Sequence, residues 1–230
     1  MHEQSSSGLH DWISSLITRV DALRGDQFRS HEGLRARQYL RRFNLDWSQL
    51  KGKQILDIGA GQAGFAKRAQ QKGISVVSFD KAYGYMGLED FKPFKGIPYI
   101  IGDAQALHTY FYPEQFDLAL SKSSLKYMLE FPKDRQPIVV SIEEQFNHIV
   151  HEVEQVLKSG GEFRFDGEDW LYNLYALHNS SQAQEVTIQQ QATHGLEWAQ
   201  NINPHITLHW GKGKTETEKK PFFIFSKPIQ

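Results

Sequence analysis

Apolar residues recur along this chain in two rhythms. Short runs rich in β-branched and aromatic side chains read as buried strands: Ile55 to Ile58, Ile74 to Asp80, Tyr99 to Ile101, Phe116 to Ser121 and the end of Val156 to Phe165. Leu9 to Leu23 instead places Trp12, Ile13, Leu16, Ile17, Val20 and Leu23 at the three-and-four spacing of an amphipathic helix. A second helix is predicted from about Glu32 to Phe43, and a further one opens near Phe65 to Gln71. Later in the chain, Asp169 to His178 and Ala183 to Gln200 read as helices, followed by strands at Ile206 to Trp210 and Pro221 to Ser226. The lysine-rich run Gly211 to Lys220 between those two strands reads as a solvated loop. Strand and helix alternate through the middle, which predicts an α/β fold with parallel strands joined by right-handed crossovers. A ligand then belongs beyond the carboxyl ends of the strands.

One stretch carries chemistry. Gln54 to Phe65 delivers Asp57 from an apolar strand into a turn bent by Gly59 and Gly61. Gly59, Gly61 and Gly64 satisfy G-x-G-x-x-G, which by itself suggests a dinucleotide with its pyrophosphate on a helix N-terminus. Asp57 shifts the balance, because its charge would repel a pyrophosphate and attract a cationic ligand. A second carboxylate, Asp80, ends the next strand, where it can accept both hydroxyls of a ribose.

With Asp57, Gly59 and Gly61 in this order, the chain resembles the class I S-adenosylmethionine-dependent methyltransferases, whose first motif runs acidic-x-Gly-x-Gly-x-Gly. The family's third glycine falls on Ala63, and Gly64 comes one residue late. The resemblance continues through Asp80, the Gly102-Asp103-Ala104 step after the third strand, Phe116 to Ser121, and Val156 to Phe165, covering roughly residues 50 to 168. It implies a Rossmann-like methyltransferase sheet, mostly parallel, with one antiparallel strand in a C-terminal hairpin, helices on both faces and an N-terminal helical extension. Residues 1–48 would form that extension and 49–230 the S-adenosyl-L-methionine-binding domain. The implied cofactor residues are Asp57, Gly59, Gly61, Asp80, Lys81, Asp103, Ala104 and Ser121, with Asp103 set against the adenine amino group. Extensions of this kind often cover the cofactor and shape the acceptor pocket, which nominates His31, Arg35 and Tyr39.

Composition narrows the acceptor less than the fold. The 230 residues are 40% hydrophobic and 13% aromatic, enough for one sizeable core. The absence of cysteine removes disulfides, thiol nucleophiles and zinc-thiolate sites, and fits a reducing cytoplasm. Met1 to Gly8 lacks the apolar core of a signal peptide, and no run is apolar enough to span a bilayer. A formal net charge of -1 argues against a strongly basic nucleic-acid binder, although nine basic residues outnumber four acidic ones between Arg19 and Lys53. That local excess reads either as a solvated helical face or as a surface for an anionic substrate.

Ser121-Lys122-Ser123-Ser124 stands where DNA amino-methyltransferases carry an Asp/Asn/Ser-Pro-Pro-aromatic motif, and the cysteine nucleophile of cytosine-C5 enzymes is impossible here. An acid would be wanted at Ser121 for ribose 2′-hydroxyl methylation. A small-molecule acceptor is favoured, with nucleic acid and protein left open. Methyl transfer needs alignment more than a base; if a base is used, Lys122, Ser123, Asp166 and Glu168 follow the fourth and fifth strands and are the candidates. His148 and His151 share a helical face without further convergent ligands, so no metal is expected. Two other readings differ in class: a binding protein built on this fold, and a nicotinamide-dependent oxidoreductase.

Overall fold

The computed structural model describes residues 32–81, 94–129, 141–166, 187–213 and 219–229. The expected helices at 9–23 and 169–178, His31, Glu168 and the side chain of Arg35 lie outside the described residues. Within them the chain runs through helices α1 (Glu32–Arg42) and α2 (Trp47–Leu50), strand β1 (Gln54–Ile58), α3 (Gly64–Gln70), β2 (Ser75–Asp80) and β3 (Tyr99–Ile101). A 3-10 turn (Ala104–Thr109), β4 (Phe116–Ser121), α4 (Leu125–Met128), α5 (Ile142–Val156), β5 (Leu157–Asp166), α6 (Ile188–Ile202), β6 (Ile206–Trp210) and β7 (Pro221–Ser226) follow.

The strands form a seven-stranded sheet in the order β3-β2-β1-β4-β5-β7-β6. Strands β1 to β5 pair in parallel, and β7 runs antiparallel to both β5 and β6. This is the Rossmann-like methyltransferase sheet with a reversed strand in its C-terminal hairpin. Chain order reverses between β1 and β4, so a crevice opens beyond their carboxyl ends.

Each face of the sheet has its own core. Leu56, Ile58, Ala119, Phe163 and Phe165 pack beneath α5 and α6, where Phe146, Ile149, Val150 and Val153 form the inward stripe of α5. Ser141 and Glu144 start that helix with a reciprocal capping box, satisfying two otherwise orphaned backbone donors. On the opposite face Ile55, Leu118, Leu120, Phe222 and Ile224 meet α1 and α3. Ala36, Tyr39 and Phe43, spaced by three and four, are the buried stripe there, and Tyr39 stacks on Phe65 of α3 at 4.7 Å.

Three local details refine the sequence reading. Strand β5 starts at Leu157, earlier than expected, and carries a bulge: pairing steps from Phe116↔Leu157 to Leu118↔Glu162. Gly160 takes φ +72° there, and a Cβ on Gly161 would lie 2.9 Å from the Lys158 carbonyl oxygen. Helix α6 begins at Ile188, where Thr187 and Gln190 close a capping box, and residues 183–186 of the expected helix lie outside the described ones. Strand β2 begins at Ser75, one residue later than expected.

Candidate functional site

Strand β1 is buried along Ile55 to Ile58 and carries Asp57 into the interior. Its carboxylate has no exposed surface; Oδ1 accepts the Tyr39 hydroxyl at 2.9 Å, and Oδ2 has no hydrogen-bond partner among the described residues. Burial pushes the carboxyl up to about 7; the Tyr39 bond opposes that shift, nearby Asp80 adds to it, and Lys122 opposes it.

The glycine turn beyond β1 divides its roles. Gly59 takes φ +73°, and a Cβ there would overlap the Cβ and Oγ of Ser124. Its missing side chain therefore makes room for Ser124, whose Oγ bonds the Ile58 carbonyl at 3.1 Å and the Ser121 hydroxyl at 2.6 Å. Gly61, at φ +55°, faces open space, and its N–H donates to Asp80 Oδ2 at 2.6 Å. Ala63 occupies the left-handed region at φ 60°, the conformation that would favour the glycine of the common motif. An alanine holds it there, fully buried, with its N–H bonded to the Ala60 carbonyl at 3.0 Å.

Asp103 ends the step after β3 and caps the 3-10 turn through Gln105 N at 3.1 Å. Lys81, which follows β2, pairs with its other oxygen at 2.5 Å. Partial burial raises the Asp103 carboxyl, but Lys81 and the Gln105 N–H outweigh it and hold it below the usual carboxylate range. Ala104 beside it is buried. Asp57, Asp80 and Asp103 thus stand at or just beyond the ends of three neighbouring strands.

Beyond β4 the backbone turns at Ser123, which has φ 56°. Its N–H donates to Asp166 Oδ1 at 2.7 Å and its hydroxyl to Oδ2 at 3.3 Å, tying the ends of β4 and β5 together. Asp166 is buried. Burial raises its carboxyl, opposed by Arg42, whose Nε lies 3.7 Å from Oδ2, and by Ser123 and Lys122. Lys122 is half-buried, with Nζ 5.8 Å from the centre of the Tyr39 ring, so it is not a plain surface lysine. Its positive charge acts on both buried acids, Asp57 and Asp166, opposing the rise of each.

A cavity of about 280 Å³ opens on this side, lined by Arg41, Arg42, Lys122, Gly211, Lys212 and Lys220. The β6–β7 hairpin closes it by docking onto the end of α1: Lys212 N–H donates to the Arg41 carbonyl at 2.8 Å, and Gly211 packs against the Arg42 carbonyl. Arg164 of β5 reaches the Phe43 carbonyl at 2.7 Å from the same region. These donors satisfy carbonyls that a helix end leaves without intrahelical partners.

Of the residues singled out from sequence, the structure gathers Asp57, Gly59, Gly61, Asp80 and Ser121 at the β1–β4 crevice, with Lys81, Asp103 and Ala104 beside it. Tyr39, Lys122, Ser123 and Asp166 join them from the α1 side. Sequence reasoning had Arg42 only as one of nine residues in a basic run and gave Ser124 no role; the Ser121-x-x-Ser124 spacing was the available signal for the latter. His148 Nε2 bonds the Gln105 carbonyl at 2.7 Å, and His151 lies 4.0 Å from Glu154.

The donor set fits S-adenosylmethionine. An unpartnered buried carboxylate oxygen on Asp57, the open face of Gly61 and carboxylates at successive strand ends suit a cationic ligand carrying a ribose and an adenine.

Residues 56–165 match the family model described as a methyltransferase domain. In fold the chain is similar to a SAM-dependent methyltransferase from Archaeoglobus fulgidus, with 15% identity, a TM-score of 0.52, and 89% of this chain and 98% of that one covered. It is similar too to a SAM-dependent methyltransferase from Thermotoga maritima, described as a possible histamine N-methyltransferase, with 12% identity, a TM-score of 0.50, and coverages of 90% and 95%. No curated protein matches the chain in sequence. No helix among the described residues is long and apolar enough to cross a membrane.

Proposed function

We propose that this chain, which belongs to the class I S-adenosylmethionine-dependent methyltransferases by motif, family match and sheet topology, methylates a small molecule seated in the basic cavity beside the ends of β4 and β5. The observation that carries the acceptor reading is the cavity's size and position: about 280 Å³, sharing Lys122 with the surroundings of Asp57. That volume lies near the lower bound of ligand pockets, roughly 300 Å³, and suits a compact group better than an extended polymer.

When bound, S-adenosylmethionine supplies a methyl group activated by its sulfonium. Asp80 is assigned to the ribose hydroxyls and Asp103 to the adenine amino group, with Lys81 and Ala104 shaping that end. Asp57 has no exposed surface, so its proposed contribution is the field it sets behind the glycine turn, with Tyr39 as its positioning partner. Gly59 and Ser121 hold Ser124 in place, and Gly61 leaves the approach open. Alignment of acceptor and methyl group carries the rate. Asp166, buried beside Ser123 and Arg42, is the described group best situated to take a proton from an acceptor hydroxyl or ammonium, because its raised pKa makes it a stronger base than a surface carboxylate. The 1–48 extension contributes Arg41 and Arg42 to the acceptor side. A cytoplasmic setting is proposed on the absence of cysteine.

The test is methyl transfer from labelled S-adenosylmethionine into small-molecule, protein and nucleic-acid fractions of a cell extract. Label should enter the small-molecule fraction; incorporation confined to either macromolecular fraction would overturn the acceptor assignment.

A further inference from the structure

Two side chains spaced by four on α5, His148 and Glu152, share one helix face and both bond the 3-10 turn that Asp103 caps. We propose that they are positioning residues for cofactor recognition: by fixing the turn they hold the Asp103 carboxylate against the adenine amino group, and so set the preference for adenine over other bases. This rests on the methyltransferase reading and on the assignment of Asp103 to adenine, and adds the residues that make that contact selective.

Glu152 stands where α5 faces the core. Ile149 and Val153 beside it are fully buried, and Glu152 itself is only 2% exposed. A carboxylate is costly to bury unless it is hydrogen-bonded, and an apolar residue would pack there at less cost. Among the described residues, the hydrogen bonds of Glu152 all run to His108: the backbone N–H donates to Oε2 at 3.0 Å, and Nδ1 lies 2.7 Å from Oε2 and 2.9 Å from Oε1. An ionised carboxylate only accepts, so Nδ1 carries the hydrogen. The His108 ring is itself largely exposed and adds little to the core, so the fastening acts on the turn. One helical turn earlier, His148 donates from Nε2 to the Gln105 carbonyl at 2.7 Å.

The turn needs both fasteners because it breaks in the middle. Ala106 leaves the helical region, with φ -143° and ψ 36°, so residues 104–109 are two short turns joined by a kink. His148 holds the first of them at Gln105 and Glu152 the second at His108. Gln105 passes the constraint on: its N–H donates to Asp103 Oδ1 at 3.1 Å, while its side-chain amide donates to the Met128 carbonyl at 3.3 Å. On the entry side Gly102 is wedged between rings, since a Cβ there would lie 2.6 Å from Tyr110 and 2.7 Å from Phe79. Asp103 spends one oxygen on Gln105 and the other on Lys81, and the lone pairs of a carboxylate still leave room for an amino donor. Hydrogen bonds weaken steeply with misalignment, so a loosened turn loses the amino contact first. The ribose and sulfonium ends, read by β1 and β2, do not depend on it.

The full chain is titrated by calorimetry with S-adenosylhomocysteine and with its purine analogue that lacks the 6-amino group, and the ratio of the two affinities is the readout. The unsubstituted protein should prefer S-adenosylhomocysteine by about tenfold or more, and Asp103→Asn should remove most of that preference. His148→Ala and Glu152→Ala should each cut the ratio by about threefold or more, while affinity for the analogue stays within about twofold. Glu152→Gln, which keeps an acceptor oxygen for His108, should fall between the two. His151→Ala, on the same helix, should leave the ratio unchanged. His148 is exposed, so its variant carries the test even if Glu152→Ala does not fold. A purely structural role would weaken both ligands alike, and that result overturns the proposal. So does a ratio that falls in Asp103→Asn but holds in the His148 and Glu152 variants, which would leave the assignment of Asp103 standing. Binding of both ligands without preference would sink the assignment of Asp103 and the proposal with it; binding of neither would sink the methyltransferase reading itself.

Discussion

Replacing Asp57 by Asn should flatten the dependence of folding stability on pH. In the folded protein, burial holds this carboxyl at about 7, against a value of 3.8 for an unperturbed group. Between those values the native state keeps a proton that the unfolded chain has lost, so stability falls as pH rises. The contribution is fully present below about pH 3.8, diminishes from there, and is gone once pH passes 7. Each pH unit in that window is worth about 1.4 kcal/mol, so integration from pH 5 to pH 8 gives a loss of roughly 2–3 kcal/mol from Asp57 alone. No discount for solvent screening applies, because the side chain is fully buried. Asn keeps an oxygen for the Tyr39 hydroxyl and cannot ionise, so the variant should lack this portion of the slope. Urea unfolding of the ligand-free protein at pH 5, 6, 7 and 8 measures the difference directly. Asp166, whose carboxyl burial also raises, contributes to both proteins and cancels in the comparison. Parallel profiles for the two proteins would refute the reasoning: Asp57 would then titrate as an ordinary carboxyl. The same proton links to function, since a cationic ligand favours the ionised acid and should bind more tightly as pH rises towards 7.

Gly59→Ala should destabilise the fold by about 3 kcal/mol or more, combining a left-handed backbone with overlap against Ser124; Ser124→Gly in the same chain should recover part of that loss, and purely additive urea midpoints would argue against the contact. Gly211→Ala should lift the hairpin from α1, because its Cβ would lie 2.6 Å from the Arg42 carbonyl oxygen; hydrogen exchange at Lys212 N–H should accelerate, and unchanged protection would contradict the docking.

Strands β4, β6 and β7 were legible to the residue because each is a short run of apolar and β-branched side chains bounded by polar or turn-forming residues. The acids Asp57, Asp80 and Asp103 were legible because a strand end followed by a tight turn is a local pattern. What Asp57 touches was not, since Tyr39 lies on another element and reaches it only through the stacking of α1 on Phe65. The role of Gly59 was hidden for the same reason: sequence suggests room for a ligand, whereas Ser124 from beyond β4 fills the space. Ala63 stood out as a departure, but only the backbone reveals that it adopts the left-handed conformation regardless. The basic excess near the N-terminus read first as a solvated face; that Arg41 and Arg42 share a cavity with Lys212 and Lys220 is visible only in the structure.

The central claim is that the β1–β4 crevice holds S-adenosylmethionine. Calorimetric titration of the purified protein with S-adenosylhomocysteine, with reduced nicotinamide dinucleotide as the control ligand, tests it most directly. The account predicts saturable micromolar binding of the first and none of the second; binding of the nicotinamide dinucleotide alone would contradict it.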